Sequence, residues 1–337
     1  MIDWVTCVLP CTHDHSKLSA GLVASISASG EIEWTVQKAM SVEGSHSSTI
    51  QVRSLTDKTI QVSGNPAKWL QGHNIFGSDD LIYLVFKFFN VLLERKGDVL
   101  GLTPDRFQLE AIELGEYQLS RVDLNQSWLL DGRSSVLAWL RAAGNCARLK
   151  RRGSGQYAAE TLYFGKNSRR WAVKCYSKGH EINAKGHNLP KELQIPELLD
   201  FADKALRIEL VIRSMGLKHL GLESARHWSN DLPKMLLSEM VLDDLELSDN
   251  MNLQDSVLNT LPPRLRLVYQ SWVAGDDLRS ILPKNTFYRY RRQMLEYGID
   301  ISILQDSTRS NVVPLIRYLE AMPAEIPQWA YDKDLVA

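Results

Sequence analysis

Alternation of apolar and polar residues dominates the first part of the chain and predicts antiparallel strands. The apolar run at residues 2–9 predicts a first strand. Residues 21–39 alternate on both sides of a Ser-Gly turn, and residues 49–64 alternate around Thr56-Asp57-Lys58. Because successive side chains of a strand point to opposite faces, each alternating segment predicts a hairpin with one buried face.

Helix and strand signals follow one another in the middle of the chain. The apolar run after Ser78-Asp79-Asp80 predicts an N-capped helix from Leu81 to Arg95. Residues 107–130 predict strand structure that is interrupted near Gly115. Residues 134–144 then predict a second helix.

A hairpin and a helix–strand unit lead into a helical end. The runs at residues 161–165 and 169–177 flank a Lys-Asn-Ser turn, which predicts a hairpin. Residues 196–213 begin as a helix and continue as an alternating strand, and the chain after Met215 is mostly helical in pattern. We therefore predict an α+β protein with an antiparallel sheet in its N-terminal two-thirds and a helical C-terminal third.

Composition narrows the class of protein. The 337 residues are enough for two domains, and a mean hydropathy of -0.21 suits a globular protein with a sizeable core. No apolar run reaches the ~18–20 residues of a membrane span, and the N-terminus lacks the basic start of a secretory signal. Four cysteines at irregular spacing do not suggest a disulfide framework, so a reducing cytoplasm is expected.

Charge is spread unevenly although the formal net charge is only -1. Residues 141–185 contain eleven Lys or Arg against two acids, whereas residues 197–255 contain twelve acids against six bases. A basic cluster that includes aromatic residues is typical of a surface that binds a polyanion. Six of its members are candidate DNA-binding residues: Lys150, Arg151, Arg152, Arg169, Arg170 and Lys174. The alternative interpretation is a solvated charged face.

Tyr176 stands at the end of an apolar run, with Lys174 before it and Lys178 after it. If this run is a strand as far as Lys178, the three side chains share one face. A phenol is a poor nucleophile at its ordinary pKa of about 10. A cation that lowers this pKa and a metal that polarises phosphate would allow it to attack a phosphodiester. The alternative interpretation is an amphipathic strand with an exposed basic face.

Three acids are candidate ligands for a hard divalent cation. Asp123 and Glu209 lie within apolar strand-like runs, and Glu181 follows the tyrosine strand. The alternative for each is a carboxylate paired with arginine: Arg121 for Asp123, and Arg207 or Arg213 for Glu209. His180 and His73 are weaker candidates for metal or DNA binding.

A second basic and aromatic segment lies near the C-terminus. Residues 282–302 predict a helix that ends in a glycine turn, which is typical of a helix-turn-helix-like DNA-binding element. Its candidate DNA-binding residues are Lys284, Arg289, Arg291 and Arg292. A plain basic surface helix fits the same pattern.

Several of these segments together resemble the replication initiator (gene II protein) family of filamentous bacteriophages. The resemblance runs nearly end to end. It rests on the opening MID, on NPAKWLQGHNIFGSDDL, SRVD, ELLDFADKALRIELVIR and LPKNTFYRYRRQMLEYGIDISIL, and on SNVVPL. The segment from Thr161 to Glu181 is also similar to the nicking motif of plasmid rolling-circle initiators. In that motif Y-x-K is followed by a glutamate five positions after the tyrosine.

The resemblance implies a sequence-specific endonuclease and strand transferase that cuts one DNA strand. On this basis Tyr176 is the nucleophile that becomes linked to the 5′ phosphate, and Lys178 is the motif lysine. The acids at positions 123, 181 and 209 would bind Mg²⁺ or Mn²⁺. His180 stands next to Glu181 rather than two positions before it, so the motif departs from the family there. The paired-histidine motif of many nickases is absent, which implies a variant or permuted HUH-like fold.

The resemblance also implies the partners and the setting. The implied partners are phage double-stranded replicative-form DNA at the plus-strand origin and the host helicase and polymerase. The implied location is the cytoplasm of the bacterial host, without a membrane partner. A homodimer is left open. We expect a nicking domain at residues 1–214 and a helical DNA-binding domain at 215–337. Met251 is the expected start of a shorter internal product. The alternative functions are a non-catalytic origin-binding replication or regulatory protein, and a metal-dependent hydrolase that forms no covalent adduct.

Overall fold

The computed structural model describes most of the chain. The described residues are 1–158, 160–184, 186–247, 258, 261–297, 299–302, 319 and 322–336. The expected internal start at Met251 and the family-like segment at residues 310–315 lie outside them.

Strands form the centre of the molecule. Their bounds are β1 Ile2–Pro10, β2 Leu22–Ile26, β3 Ile32–Gln37, β4 Met40–Glu43, β5 Thr49–Thr56, β6 Thr59–Gly64, β7 Gln118–Leu129, β8 Arg148–Leu149, β9 Gly153–Ser154, β10 Gln156–Ala158, β11 Thr161–Phe164, β12 Trp171–Ser177, β13 Ala205–Arg213 and β14 Leu245–Glu246. Within the described residues, nine of them form one antiparallel sheet in the order β10-β11-β12-β13-β7-β1-β6-β5-β4. Strands β2 and β3 pair as a separate hairpin, and β14, β8 and β9 form a small sheet.

Helices surround the sheet and continue beyond it. Their bounds are α1 Pro66–Gln71, α2 Leu81–Leu100, α3 Arg106–Glu113, α4 Arg133–Cys146, α5 Lys178–Asn183, α6 Pro196–Lys204, α7 Ser214–Leu220, α8 Leu232–Leu237, α9 Pro263–Val273, α10 Leu278–Ile281, α11 Lys284–Leu295 and α12 Gln328–Asp332. The prediction of a mixed α and β fold with a large antiparallel sheet is confirmed. In the part of the chain that is described, no helix is long and apolar enough to cross a membrane.

Most predicted elements are present, and one is of the wrong type. The helix expected from Leu81 begins there, because the Asp80 side chain accepts from the Tyr83 backbone N–H at 2.9 Å. Residues 107–113, expected as strand, belong instead to α3, which begins at Arg106. Asp105 and Gln108 close a capping box there, in which each side chain bonds to the other's backbone N–H. Only the part beyond Gly115 is the expected strand.

The central strands have one apolar and one polar face. From Val122 onward, even-numbered residues of β7 point into the core that α2 and α4 cover, as do even-numbered residues of β13 and odd-numbered residues of β12. Strand pairing brings the alternate residues together on the other side. We call this side the polar face; it carries Arg121, Asp123, Asn125, Ser127, Tyr163, Lys174, Tyr176, Arg207, Glu209 and Arg213.

The C-terminal residues pack in two places. Helices α9 to α11 share an apolar cluster to which Ala138 of α4 contributes. Ala330 and Leu335 belong instead to a cluster with Phe76 and Phe201. Buried residues of α7, of α8 and of the segment that follows, as far as Leu245, belong to the apolar core that covers the sheet. The division at residue 214 stays a prediction.

Candidate active site

Three neighbouring strands bring the candidate residues together at one end of the polar face. Two rows cross β12, β13 and β7 there: Tyr176, Arg207 and Ser127 in the first, and Lys174, Glu209 and Asn125 in the second. Asp123 lies one step further along β7, opposite Val211. Directly paired residues of antiparallel strands are close neighbours, so the register alone makes this a dense polar cluster.

Asp123 and Glu209 are buried carboxylates in this cluster. Asp123 accepts two hydrogen bonds from Arg121, at 2.8 and 2.6 Å, which is the arginine pairing given as the alternative for this residue. Glu209 accepts from Lys174 at 2.5 Å, a lysine rather than the arginine that the alternative named. Burial raises the pKa of both carboxyl groups, and the negative charge of Asp3 adds to both rises; the charge of Asp123 adds further to that of Glu209.

Lys178 is fully buried beside the cluster. The strand ends at Ser177, whose hydroxyl caps α5, so Lys178 begins a helix and does not continue the strand face as expected. Its Nζ donates to Asn74 Oδ1 at 2.6 Å and to the Glu181 carboxylate. Burial lowers the pKa of Lys178 to about 8, although the charge of Glu181 opposes this shift.

The loop at residues 73–76 closes one side of the site. Arg207, fully buried, donates to the backbone carbonyls of Asn74 at 2.5 Å and Ile75 at 2.7 Å. The Asn74 side chain bridges two groups, because its Nδ2 donates to Asp3 Oδ1 at 2.8 Å while its Oδ1 accepts from Lys178. Asp3 and Asn74 are members of the site that the sequence reasoning missed. Their signal was present in MID and LQGHN, two segments that carry the family resemblance.

The phenol of Tyr176 is half-buried and faces this cluster. Its pKa is well above the ordinary value, because of burial and of the negative charge of Glu209, while the charge of Arg207 opposes the rise. The lysines do not produce the lowered pKa that was expected. Each ammonium group is held by a carboxylate, Lys174 by Glu209 and Lys178 by Glu181. Tyr176 is therefore a protonated phenol at neutral pH in this structure.

The two candidate histidines differ in their surroundings. His180 is exposed, and its Nδ1 lies 2.8 Å from a carboxylate oxygen of Glu160. His73 is buried, and its Nδ1 accepts from the Ile75 backbone N–H at 3.2 Å. Burial and the charges of Lys178 and Arg207 lower the pKa of His73 to about 4. His73 is thus a neutral part of the 73–76 loop at physiological pH.

The three candidate metal ligands are not gathered in one cluster. Among the described residues, no group of three or more Asp, Glu, His or Cys side chains is arranged to hold a metal ion. Glu181 lies beside Lys178, whereas the negative charge of Asp123 contributes to the raised pKa of Glu209. The latter pair fits a hard cation in its chemistry, since both are buried oxygen donors whose mutual repulsion a cation would relieve.

The basic cluster of the sheet domain is largely exposed. Arg151, Arg169 and Arg170 are exposed, and the Arg152 guanidinium lies 3.7 Å from the centre of the Trp171 ring. Lys150 is within 3.4 Å of Asp244. Lys174 differs from the others, because Glu209 holds its ammonium within the site.

Helix α11 presents most of the second set of cations to solvent. Lys284, Arg289 and Arg292 are exposed. Arg291 instead makes two hydrogen bonds of 2.7 Å to Asp300. Phe287 and Met294 are buried in the apolar cluster of α9 to α11, so they orient the basic side of the helix outward.

Comparison with known proteins gives the same family along both parts of the chain. Residues 1–231 match a family model for the N-terminal part of a phage replication-associated protein, and residues 257–336 match the model for the C-terminal part of the same protein. The chain belongs to this family of phage replication-associated proteins.

Relatives from several phages share this similarity. The replication-associated protein of Enterobacteria phage I2-2 is 40% identical over 336 residues, covering 97% of this chain and 95% of the relative. The replication-associated protein of Enterobacteria phage M13 is 26% identical over 331 residues, covering 80% of this chain and 76% of the relative. The replication-associated protein of Salmonella phage IKe is 21% identical over 324 residues, covering 80% of this chain and 74% of the relative. The family resemblance drawn from the sequence is confirmed.

Proposed function

We propose that this protein is a nicking and joining enzyme of phage DNA replication, with Tyr176 as its nucleophile. The observation that carries the proposal is the position of Tyr176 on the polar face, in the row next to that of Lys174 and Glu209. Membership of a family named replication-associated supports the biological setting. A tyrosine beside buried carboxylates and buried cations is suited to phosphoryl chemistry rather than to packing.

The reaction transfers a phosphoryl group from DNA to the protein and back. The Tyr176 phenol loses its proton, and its oxygen forms a bond to the scissile phosphorus. The bond from phosphorus to the 3′ oxygen breaks, and that oxygen leaves as a hydroxyl after it takes up a proton. The 5′ phosphate remains on Tyr176 as a phosphodiester. In the joining step a 3′ hydroxyl attacks this phosphorus, and the phenol leaves.

The neighbouring residues have separate tasks in this proposal. Glu209 takes the phenol proton, because the raised pKa makes its carboxylate a stronger base than an ordinary glutamate. Lys178 supplies positive charge under the site and is held there by Asn74 and Glu181. Arg207 fixes the 73–76 loop that carries Asn74.

We assign the expected Mg²⁺ or Mn²⁺ to Asp123 and not to Glu209, because a cation bound to Glu209 would lower the pKa on which its role as the base depends. When bound, such an ion would polarise the scissile phosphate. Glu181, the third ligand expected from the sequence, is assigned instead to Lys178, its nearest charged partner. The proposed fold relation is a variant or permuted HUH-like nickase domain, supported by the antiparallel sheet.

The proposed substrate is phage double-stranded replicative-form DNA at the plus-strand origin. Nicking would provide a 3′ hydroxyl that host polymerase extends while host helicase opens the duplex. After one round, joining would close the displaced strand. The exposed cations of the basic cluster and of α11 would hold the DNA backbone, because phosphate contacts from Lys and Arg dominate such affinity.

A second candidate is an origin-binding protein without catalysis. The raised pKa of Tyr176 favours it, since a protonated phenol is a weak nucleophile. The two candidates differ in a nicking assay with a supercoiled plasmid that carries the phage origin, in Mg²⁺ buffer. We expect a covalent protein–DNA adduct that maps to Tyr176.

The matched variants are Tyr176→Phe and Tyr83→Phe, the latter an exposed tyrosine on α2. Tyr176→Phe should abolish nicking and retain origin binding, whereas Tyr83→Phe should nick normally. Nicking without an adduct would support a metal-dependent hydrolase. Binding without nicking by the unaltered protein would support the origin-binding candidate.

A further inference from the structure

The polar face extends from Tyr176 towards the β10 edge of the sheet. Strand β11 pairs with β12 so that Thr161 lies opposite Tyr176 and Tyr163 lies opposite Lys174. Tyr163 is therefore a diagonal neighbour of Tyr176 on the same face. Such neighbours are about 7–8 Å apart, within reach of aromatic side chains. Beyond Tyr163, the edge strand contributes the exposed Gln156.

A cation is held over the Tyr163 ring. The Nζ atom of Lys166 lies 4.8 Å from the centre of this ring. The turn that carries Lys166 is fastened to the central sheet, because Arg213 donates to the carbonyl of Ser168 at 2.6 Å and to that of Lys166 at 3.4 Å. The half-buried ring and the exposed lysine thus lie next to each other beside the site, and the backbone of the turn that carries the lysine is held to the sheet.

The other aromatic residues of this hairpin are arranged differently. Phe164 is buried in the core of the sheet. Tyr157 of β10 lies opposite Leu162, a core residue, and so projects to the face away from Tyr176. Tyr163 therefore shares the face of Tyr176, and Tyr157 does not.

We propose that Tyr163 and Lys166 form a stacking subsite for one unpaired base of single-stranded DNA, next to the phosphate that Tyr176 attacks. This inference rests on the proposed function. Every base has a flat π face, so a tyrosine ring accepts any of them, while the ammonium group of Lys166 meets the neighbouring phosphate. A base can stack there only after it leaves the duplex. The subsite therefore selects a locally opened strand.

The test uses full-length protein with Tyr176→Phe as background, so that bound DNA is not cut. The probe is a single-stranded oligonucleotide of the origin plus strand in which the fluorescent base 2-aminopurine replaces one base at a time. Stacking on the ring should quench its fluorescence at one position. Adding Tyr163→Ala should remove this quenching and weaken binding about tenfold, the loss typical of one stacked base. Tyr163→Phe should restore both.

Tyr83→Ala is the matched control, because Tyr83, an exposed tyrosine of α2, likewise has a lysine near its ring: Lys87 Nζ lies 5.8 Å from the ring centre. It should keep full quenching and affinity. Unchanged quenching and affinity in Tyr163→Ala would overturn the subsite. Equal losses in Tyr163→Phe and Tyr163→Ala would also overturn it, because the hydroxyl rather than the ring would then be required.

The two proposals fail in different ways. If unaltered protein forms no adduct with DNA but Tyr163→Ala still loses quenching, the nicking mechanism is wrong and the stacking subsite stands. If the adduct forms at Tyr176 while no position of the probe shows Tyr163-dependent quenching, only the subsite is wrong. Circular dichroism of each variant checks that a loss of binding does not come from unfolding.

Discussion

The polar face and helix α11 both carry several cations, but they hold them in different ways. Lys174 on the polar face and Lys178 beside it are each bound by a glutamate, and Lys178 is fully buried. On α11, Lys284, Arg289 and Arg292 stand in solvent. Charges in a buried site interact strongly and shift each other's pKa, whereas exposed charges are screened by salt. The first arrangement suits chemistry on one phosphate, and the second suits attraction to a polyanion.

The largest effect that would test this difference is expected from Glu209→Gln. In the proposed mechanism this variant removes the base that accepts the phenol proton, so nicking should fall at least about a thousandfold. Origin binding should change little, because the exposed cations remain. Quantitative gel assays of nicking and of binding would measure both effects.

Glu197→Gln is the control for the Glu209 variant. Glu197 also accepts from a lysine, Lys333, at 2.7 Å, but this pair is exposed. The control should nick as the unaltered protein does. Equal nicking by Glu209→Gln and Glu197→Gln would contradict the assignment of Glu209 to the chemistry.

Arg207→Met should have the largest effect on stability among these residues. It leaves the carbonyls of Asn74 and Ile75 without their buried donor, at a cost of about 3 kcal/mol in the free energy of unfolding. Arg213→Met, on the same strand, removes bonds to carbonyls in the partly exposed turn between β11 and β12 and should cost about 1 kcal/mol. Urea unfolding monitored by tryptophan fluorescence gives both values. A smaller loss for Arg207→Met than for Arg213→Met would contradict the role of Arg207 in fastening the loop.

The pH dependence of nicking should report the buried charge of Lys178. Its pKa of about 8 means that the ammonium form is lost as pH rises through this value, and nicking should fall with it. Glu181→Gln removes a negative charge that raises this pKa, so the alkaline fall should move to lower pH. His187→Ala, which alters a histidine 3.5 Å from Glu181, serves as the control and should leave the fall in place. A rate that rises through pH 8 would contradict a charged role for Lys178.

The same pKa has a consequence for stability with a defined sign. The pKa of Lys178 is lower in the folded chain than the ordinary lysine value of 10.5. Between about pH 8 and 10.5 the unfolded chain therefore binds more protons at this group. Its contribution to the free energy of unfolding should increase as pH rises through this window. Replacement by methionine should flatten that part of the stability curve.

The sequence predicted the parts of the site that depend on strand periodicity. Lys174 and Tyr176 were assigned to one strand and do share one face, because they are two positions apart. Glu209 was assigned to a second strand, and strand pairing places it opposite Lys174. Lys178 was placed wrongly because the strand stops at Ser177, which caps the following helix. The alternating pattern alone does not tell whether a serine continues a strand or caps a helix. The local pattern therefore predicted which side chains share the polar face, but not the residue at which the strand ends.

The long-range members of the site had no such local signal. Asp3 and Asn74 are 71 residues apart, and Asn74 and Lys178 are 104 apart, yet both pairs are hydrogen-bonded. Their meeting depends on the order of the strands in the sheet, which the periodicity of each strand does not determine. The same lack of long-range information explains the wrong expectation for the pKa of Tyr176. A fall in this pKa was expected from the neighbouring lysines, because their pairing with Glu209 and Glu181 was not predicted.

The smallest effects should come from single cations of α11, and these would sharpen the comparison with the polar face. Lys284→Ala, Arg289→Ala and Arg292→Ala should each weaken DNA binding to a similar extent for origin and unrelated sequences. Each should also reduce the slope of log affinity against log salt by about 1, because one phosphate contact is lost. Arg291→Ala should leave that slope unchanged, since Asp300 already neutralises Arg291.

A salt slope that falls as much for Arg291→Ala as for Arg289→Ala would show that the Asp300 pair opens on DNA. A loss confined to origin DNA would instead mean that α11 contacts bases, and its exposed cations would then specify sequence rather than only supply attraction.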